Sequence, residues 1–500
     1  MSISGPNILL IMTDQHRLDA INCYANGICR TPHIDRLADM GVRFETAYTV
    51  CPVCSPARAS IMTGQYPHAH GITANIHDLG SSVHELSDRP SLLSRRLQAL
   101  GYRCGYTGKW HLGSDRPRSF GAKNTTSLPA DVGFTGMSVA GHGHGGFTTR
   151  EYREYLSASR LSPRLRRERQ VLRKIMDYGI VDDERETVPH FLANYTIRLV
   201  EELSQDSEPF FIWHSFWGPH HPYFSSSRFY DLYRDEEIPE WPNYRWDDLD
   251  ERAPLQVKLL PNRKDSTWDD WAEAIRHYYA FVSLIDAQIG RLLDYLEERH
   301  LLDDTVIIFT SDHGETLGSH GGLFDKGWHH FEEIQRIPLI VYLPKKHFPE
   351  RVLSGTTLKR WATTLDLYPT LLDIAGAAEP TVGVPGSSLL PTVHGDDAVR
   401  PRNVVVEFHG VNSLATSMLT LRSGRLKYGW NCSNRDELYD LERDPHEMHN
   451  LVADPAYQGD LARLRQELYW WMENESYPGR LLYRRSRLSY GEWDSKYGVR

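Results

Sequence analysis

At 500 residues with 40% hydrophobic content, the chain can bury a large core, read as one big α/β domain with a smaller one appended. A formal charge of −10 and a pI near 6.2 exclude the basic footprint of a general nucleic-acid binder, so an anionic substrate must be met by local positive charge. Six cysteines in so long a chain do not form a disulfide framework, and no apolar run approaches the roughly 18 residues needed to cross a membrane.

Met1 to Asn7 carries no basic n-region and no small-residue cleavage site, which leads us to expect a cytoplasmic protein. Asn7 to Thr13 reads as a buried parallel strand ending at Asp14-Gln15-His16. Strand ends in open α/β sheets are where ligands bind, so Asp14 is a metal or catalytic candidate, with capping of the following helix as its plainer role. Next comes Cys54-Ser55-Pro56-Ala57-Arg58-Ala59-Ser60-Ile61-Met62-Thr63-Gly64. Ser55 suits an N-cap, Pro56 the first helical position and Gly64 the stop, which predicts a short helix with Cys54 just ahead of its N-terminus. Free N–H groups and the helix dipole would favour an anion there, and Arg58 adds a fixed charge. Cys51-Pro52-Val53-Cys54 also allows a redox pair, or half of a zinc site with Cys23 and Cys29, but neither role needs Pro56, Arg58, Thr63 or Gly64.

Leu92 to Leu100 predicts a helix stopped by Gly101, and Tyr102 to Thr107 a strand entering Gly108-Lys109-Trp110-His111-Leu112-Gly113. From Ser114 to Val200 two features stand out. Gly141 to Gly146 is a His-rich glycine turn that lines a substrate mouth, binds a metal or is a plain loop. Arg160 to Lys174 is basic with interspersed leucines, expected to be a solvated amphipathic helix, or else an anion-attracting rim. Phe210 to Phe216 predicts a further strand, followed by Gly218-Pro219-His220-His221-Pro222-Tyr223. Residues 224–270 are expected to run irregularly over the site, and Trp271 to Glu298 to form a core-facing helix. Thr305 to Ser311 is a second apolar strand, ending in Asp312-His313-Gly314-Glu315. Two strands that each end in Asp plus a neutral ligand are what a split metal site requires.

Leu323-Phe324-Asp325-Lys326-Gly327 and Phe331 to Ile340 follow, then a helix around Asp366. From about Arg400, Val404 to Glu407, Met418 to Leu421 and Arg425 to Trp430 predict strands, Glu437 to Asp440 continues the pattern, and Asp460 to Glu473 predicts a closing helix. The aromatic and basic tail after Tyr477 is expected to dock either on a second subunit or on its own chain.

The pattern C-x-P-x-R-x-x-x-x-T-G, starting at Cys54, resembles the sulfatase signature whose cysteine is oxidised to formylglycine. A chance match in this length is on the order of one in several thousand. The Asp14-Gln15 and Asp312-His313 ends resemble the two halves of the sulfatase metal site, and Thr107 to Gly113 is similar to the family's T-G-K-W-H-L-G. His220 matches the family's P-H-x-P histidine and Lys326 the lysine that contacts sulfate. Glu332 and Arg336 are expected to brace a loop, and Asp366 need not be catalytic. The resemblance implies an alkaline-phosphatase-like α/β fold: a large mixed, mostly parallel sheet between helices in residues 1–399, and a C-terminal α+β subdomain on an antiparallel sheet in residues 400–500.

The activity implied is hydrolysis of a sulfate monoester. One divalent metal would be held by Asp14, Gln15, Cys54, Asp312 and His313, with Arg58, Lys109, His111, His220 and Lys326 completing the catalytic set around Cys54. A hydrated aldehyde offers two hydroxyls, one to attack sulfur and one to expel sulfate. Arg58 and Lys109 would stabilise the nucleophile side and Lys326 the sulfate oxygens, while His220 protonates the leaving alkoxide and His111 accepts the proton of the second hydroxyl. Many relatives pair Asp-Asp with Asp-Asn. The Gln15 and His313 found here lower the negative charge and soften the site, which leaves Mn2+ or another transition metal possible, while the resemblance puts Ca2+ first. The same pairs occur in a branch that cleaves phosphonate monoesters and phosphodiesters, although that branch usually lacks the lysine and histidine of Lys109 and His111. A binding protein on an inactive scaffold is the third reading. The implied partners are a small-molecule or carbohydrate sulfate ester and a formylglycine-generating maturation enzyme, with no nucleic acid and no membrane; a homo-oligomer is left open.

Overall fold

The computed structural model describes residues 5–24, 27–76, 78, 81, 83–114, 127–167, 177–245, 266–349, 353–396, 403–411 and 414–488. An eight-stranded sheet is built from β1 (Asn7–Asp14), β2 (Val42–Tyr48), β3 (Arg103–Gly108), β4 (Thr135–Gly136), β7 (Phe210–Pro219), β9 (Thr305–Ser311), β10 (Leu339–Tyr342) and β11 (Thr356–Thr363). A small three-stranded sheet holds β5 (Arg166–Arg167), β6 (Tyr178–Val181) and β8 (Tyr223–Ser226). A four-stranded antiparallel sheet takes β12 (Asn403–Val411) to β15 (Glu437–Asp440) through β13 (Leu414–Ser423) and β14 (Leu426–Asn431).

The large sheet has the order β11-β2-β10-β9-β1-β7-β3-β4. All its pairings are parallel except those of β10 with β9 and β2. In β1 the alternation of the pleat divides the apolar side chains between two cores: Leu9 and Ile11 point into one, Ile8, Leu10 and Met12 into the other. On the first face lie α1 (Pro32–Met40), α5 (Val188–Leu203) and the 31-residue α6 (Trp268–Glu298). On the second lie α2 (Cys54–Thr63), α3 (Leu93–Ala99) and α7 (Leu367–Ile374). Burial of both faces explains why β1, β7 and β9 are near-continuous apolar runs instead of alternating ones. The start of α6 is fixed by a capping box, in which the Asp270 carboxylate accepts the Thr267 N–H at 2.8 Å and Thr267 Oγ1 accepts the Asp270 N–H.

Among the neighbours β9-β1-β7-β3 every strand runs the same way, so their C-terminal ends meet along one edge of the sheet. That edge carries Asp312, Asp14, His220 and Lys109 in turn.

Three local expectations differ from what is observed. Helix α2 begins at Cys54, not after it, because the Ser55 hydroxyl does not cap: it donates to the His111 carbonyl at 2.7 Å. Residues 161–165 form no helix and Arg166–Arg167 pairs with β6, since Pro163 lacks the N–H a helix would need; helix α4 (Arg150–Ala158) stops before them. The rest of the basic stretch, 168–176, lies outside the described residues, as do 246–265 and the expected domain boundary near 399. The described part of the tail, up to residue 488, packs on its own chain through α9 (Arg480–Arg487), which follows the closing helix α8 (Gln458–Asn474). There Tyr483 is fully buried and Arg487 pairs with Asp436 at 2.7 Å.

Candidate active site

Cys54 sits fully buried at the mouth of α2, facing the ends of β1 and β9. Its Sγ lies 3.2 Å from His313 Nε2, 3.5 Å from Lys109 Nζ and 3.9 Å from Asp14 Oδ1. Lys109 Nζ also bonds Asp14 Oδ2 at 2.6 Å. Burial and Asp14 push the Cys54 thiol up, but Lys109, Lys326 and His313 outweigh them and leave it below its ordinary value. The tip of residue 54 is therefore held in a positive field that favours an anion.

Behind it, Arg58 is completely enclosed. Its Nη2 donates to Asp14 Oδ2 at 2.8 Å and pairs with Asp312 Oδ2 at 3.0 Å, while Nε donates to the same Asp312 oxygen at 3.1 Å. Its Nη1 donates to the Lys109 carbonyl at 2.8 Å and to Ser215 Oγ at 2.7 Å. One guanidinium thus ties together α2, β7 and the ends of β1, β3 and β9.

The donor set suits a divalent ion. Asp14, Cys54, Asp312 and His313 each offer a ligand atom, all within 4.8 Å of one another, and all four are buried. His313 Nδ1 is engaged by the Gly314 carbonyl at 2.9 Å, which turns Nε2 toward Cys54 Sγ. Asp14 Oδ1 faces the cluster because Oδ2 is taken by Arg58 and Lys109. Burial acts to raise the Asp14 carboxyl, yet Lys109, Arg58, His220 and His313 hold it well below the carboxylate range. Burial acts to lower His313, whereas Asp312 and Cys54 raise it to about 8.

Gln15 is spoken for. Its Oε1 accepts from Lys326 Nζ at 2.7 Å, and its Nε2 donates to Asp325 Oδ1 at 3.0 Å and to Glu315. It adopts a left-handed backbone, φ 62°, just where β1 ends. Glu315, fully buried, also accepts the N–H groups of Leu317 and Asp325. The sequence assigns Glu315 and Asp325 no role, because acidic residues in a loop look like surface; only the fold turns them toward Gln15 and Lys326.

On the other side of the cluster four imidazoles form an arc. The ring of His111 meets His142 at 5.1 Å, His142 meets His220 at 5.0 Å, and His220 stacks on His221 at 4.4 Å. The turn at Gly141 to Gly146 therefore places His142 between His111 and His220. His220 Nδ1 bonds the His221 carbonyl at 2.7 Å, so the proton sits on Nδ1 and Nε2 is the atom left for exchange. Desolvation, then Lys326, His221 and Lys109, hold His220 well below its usual value. A cavity of about 710 Å³ opens beside His220 and His142.

The chain is similar to known proteins over nearly its whole length. The family model described as Sulfatase matches residues 6–377, and a second, described as N-sulphoglucosamine sulphohydrolase, C-terminal, matches residues 318–474. A choline-sulfatase of Rhizobium meliloti (strain 1021) is 31% identical over 496 residues, covering 95% of this chain and 88% of its own length. A protein solved in complex with its substrate D-glucosamine-2-N,6-O-disulfate superposes with a TM-score of 0.73 at 24% identity, covering 95% of this chain and 99% of that one. The phosphonate monoester hydrolase of Agrobacterium radiobacter gives a TM-score of 0.75 at 24% identity, covering 94% and 96%. These last two likenesses concern the fold.

Proposed function

Because the chain belongs to the sulfatase family of the alkaline phosphatase superfamily and is a sulfuric ester hydrolase, we propose that its catalytic centre is the buried cluster around residue 54. The observation that carries this assignment is the convergence of Lys109, Asp14, Asp312 and His313 on Cys54 at the ends of neighbouring parallel strands. Conversion of Cys54 to formylglycine by a separate maturation enzyme would supply a hydrated aldehyde as the nucleophile. Asp14, Gln15, Asp312, His313 and residue 54 would hold a divalent ion, calcium by preference and manganese as the alternative, whose charge would favour the ionised nucleophile.

The chain's own groups do the rest. Lys109 holds the polar tip of residue 54 against Asp14. Lys326, anchored by Gln15 and paired with Asp325 at 3.4 Å, offers a second ammonium to the sulfate oxygens. Arg58, with its donors committed to Asp14, Asp312, Lys109 and Ser215, is a positioning residue that sets the two carboxylates. His220 gives a proton to the departing alkoxide through Nε2, at the mouth of the cavity where an alcohol would sit, and His111 takes the proton that must leave residue 54 before sulfate departs.

The test is release of inorganic sulfate from a generic aryl sulfate by the wild-type protein and by Cys54→Ala. Loss of activity by at least about a thousandfold is expected, and a variant that kept full activity would refute the assignment. Gln15 and His313 motivate a second reading, a phosphonate monoester or phosphodiester hydrolase, which predicts faster turnover of phosphonates than of sulfates.

A further inference from the structure

On either side of Lys326 in the chain, His320 and Glu333 turn inward to meet Glu447, which comes from the loop between β15 and α8. Each offers one ligand atom, and the three atoms lie within 4.8 Å of one another. None of the three belongs to the cluster around residue 54. The His320 ring lies flat against Phe331, with the centroids 3.4 Å apart. Its Nε2 is 3.5 Å from Glu333 Oε2 and 3.1 Å from Asn243 Nδ2, and that amide donates to Glu333 Oε1 at 2.7 Å.

Bonding capacity and negative charge are both left over here. His320 Nδ1, Glu333 Oε2 and Glu447 Oε1 are buried atoms with no hydrogen bond among the described residues, although the Lys427 ammonium lies against Glu447 Oε1. Buried groups of this kind ordinarily have a partner. Lys427 also meets Glu332 at 3.1 Å, so one ammonium is shared by two carboxylates, and Glu333 is left to His320, Asn243 and the field of Arg17. Burial pushes the Glu447 carboxyl up and Lys427 pulls it down, but Glu332 and Glu333 leave it at about 8, so it keeps a proton that a cation would replace. A cavity of about 190 Å³ has Asn243 and Glu333 in its wall, which gives an ion a way in.

We propose that His320, Glu333 and Glu447 bind a divalent transition-metal ion, zinc by the chemistry of the donors, at a site independent of the catalytic centre. An imidazole with two carboxylates suits zinc better than calcium, which takes oxygen ligands. Asn243 becomes the fourth donor by turning its amide over, which puts Oδ1 where Nδ2 now stands. The ion clips the loop after β15 to the segment bearing Lys326. That segment is tied to the catalytic side, because the Glu333 carbonyl accepts the Glu315 N–H at 3.0 Å and the Glu315 carboxylate accepts from Gln15.

The experiment is equilibrium dialysis of the full chain against Zn2+, with bound zinc counted by elemental analysis. A Cys54→Ala, Asp312→Asn protein, which lacks a thiol and a carboxylate of the catalytic cluster, should still hold one zinc per chain. On that background Glu333→Gln and Glu447→Gln should each weaken the zinc at least about a hundredfold, and an excess of Ca2+ should not displace it. In the wild type, Glu333→Gln should likewise remove one zinc and no more. Glu333 lines the cavity and its side chain is 14% exposed, so Glu333→Gln decides the matter if Glu447→Gln does not fold. A background protein that holds no zinc, zinc that calcium displaces, or zinc that stays bound equally well in Glu333→Gln overturns the proposal. The readout is bound metal, not sulfate release, and does not depend on the sulfatase reading.

Discussion

Replacing Arg58 with methionine removes the one guanidinium that separates and aligns the two cluster carboxylates. It deletes donors to Asp14 at 2.8 Å, to Asp312 at 3.1 Å, to the Lys109 carbonyl at 2.8 Å and to Ser215 Oγ at 2.7 Å, in a setting with no solvent to replace them. Charge-assisted bonds contribute about 1.5–3 kcal/mol each in isolation, but they act as one unit, and breaking a buried pair from one side costs about 3–5 kcal/mol. At roughly 2 cal/mol/K of unfolding entropy per residue, a 500-residue unit that melts together should lose about 3–5 °C in Tm. The variant also leaves Asp14 and Asp312 facing each other with only Lys109 between them and residue 54, so their charge should be better met by a divalent ion. Thermal melts with and without added calcium should show a larger metal-dependent rise in Tm for Arg58→Met than for the wild type. A variant that lost under about 1 °C, or whose metal dependence was unchanged, would show that Arg58 is not the brace.

Other substitutions read other parts of the site. His220→Ala should lower kcat/KM by about 10²–10⁴ for an alkyl sulfate, whose alkoxide must be protonated, and by less than about tenfold for a nitrophenyl sulfate, whose anion leaves unaided; equal losses on both would remove His220 from the proton-donor role. A donor works only when protonated, and His220 is held well below 6.5 in the free protein by its desolvation and by Lys326, His221 and Lys109. For the alkyl sulfate, kcat/KM should therefore go on rising as pH falls through 6.5, and a plateau already reached above that pH would contradict the assignment. Gly108 has φ +97°, and a Cβ there would lie 1.8 Å from the Ser215 carbonyl oxygen, across the pairing of β3 with β7. Gly108→Ala should cost about 3 kcal/mol in denaturant unfolding and displace Lys109, whereas a variant of wild-type stability would mean that the two strands can part at no cost.

The parts of the fold that were legible in the sequence are those where a local pattern and the tertiary environment make the same demand. β1 and β9 are buried on both faces, so their apolar runs are uninterrupted until the carboxylates Asp14 and Asp312 mark the sheet edge. Gly64 takes the left-handed stop expected of it, with φ 67°. What was not legible depends on partners far along the chain. Ser55 reads as a cap, but its hydroxyl is claimed by the His111 carbonyl; Arg58 reads as a fixed charge beside residue 54, and its bonds to Asp312 and Ser215 depend on residues far along the chain. His142 was only a residue in a glycine turn until the hydrogen bond from the His111 N–H to the Gly141 carbonyl, 3.1 Å, set that turn beside the site. Glu315 and Asp325 carry no local signal of burial at all, since nothing in a polar loop announces that it folds inward over Gln15 and Lys326.

The account is tested most directly by kcat/KM for a generic aryl sulfate and for the matching aryl phosphonate, measured on one preparation of the wild-type protein with Cys54→Ala as the control. Lys109 against residue 54, with Lys326 and the arc of histidines around it, predicts a preference for the sulfate that the substitution abolishes. A preference for the phosphonate would contradict it, and would mean that Gln15 and His313 tune the centre for phosphorus in spite of the lysine and histidines gathered there.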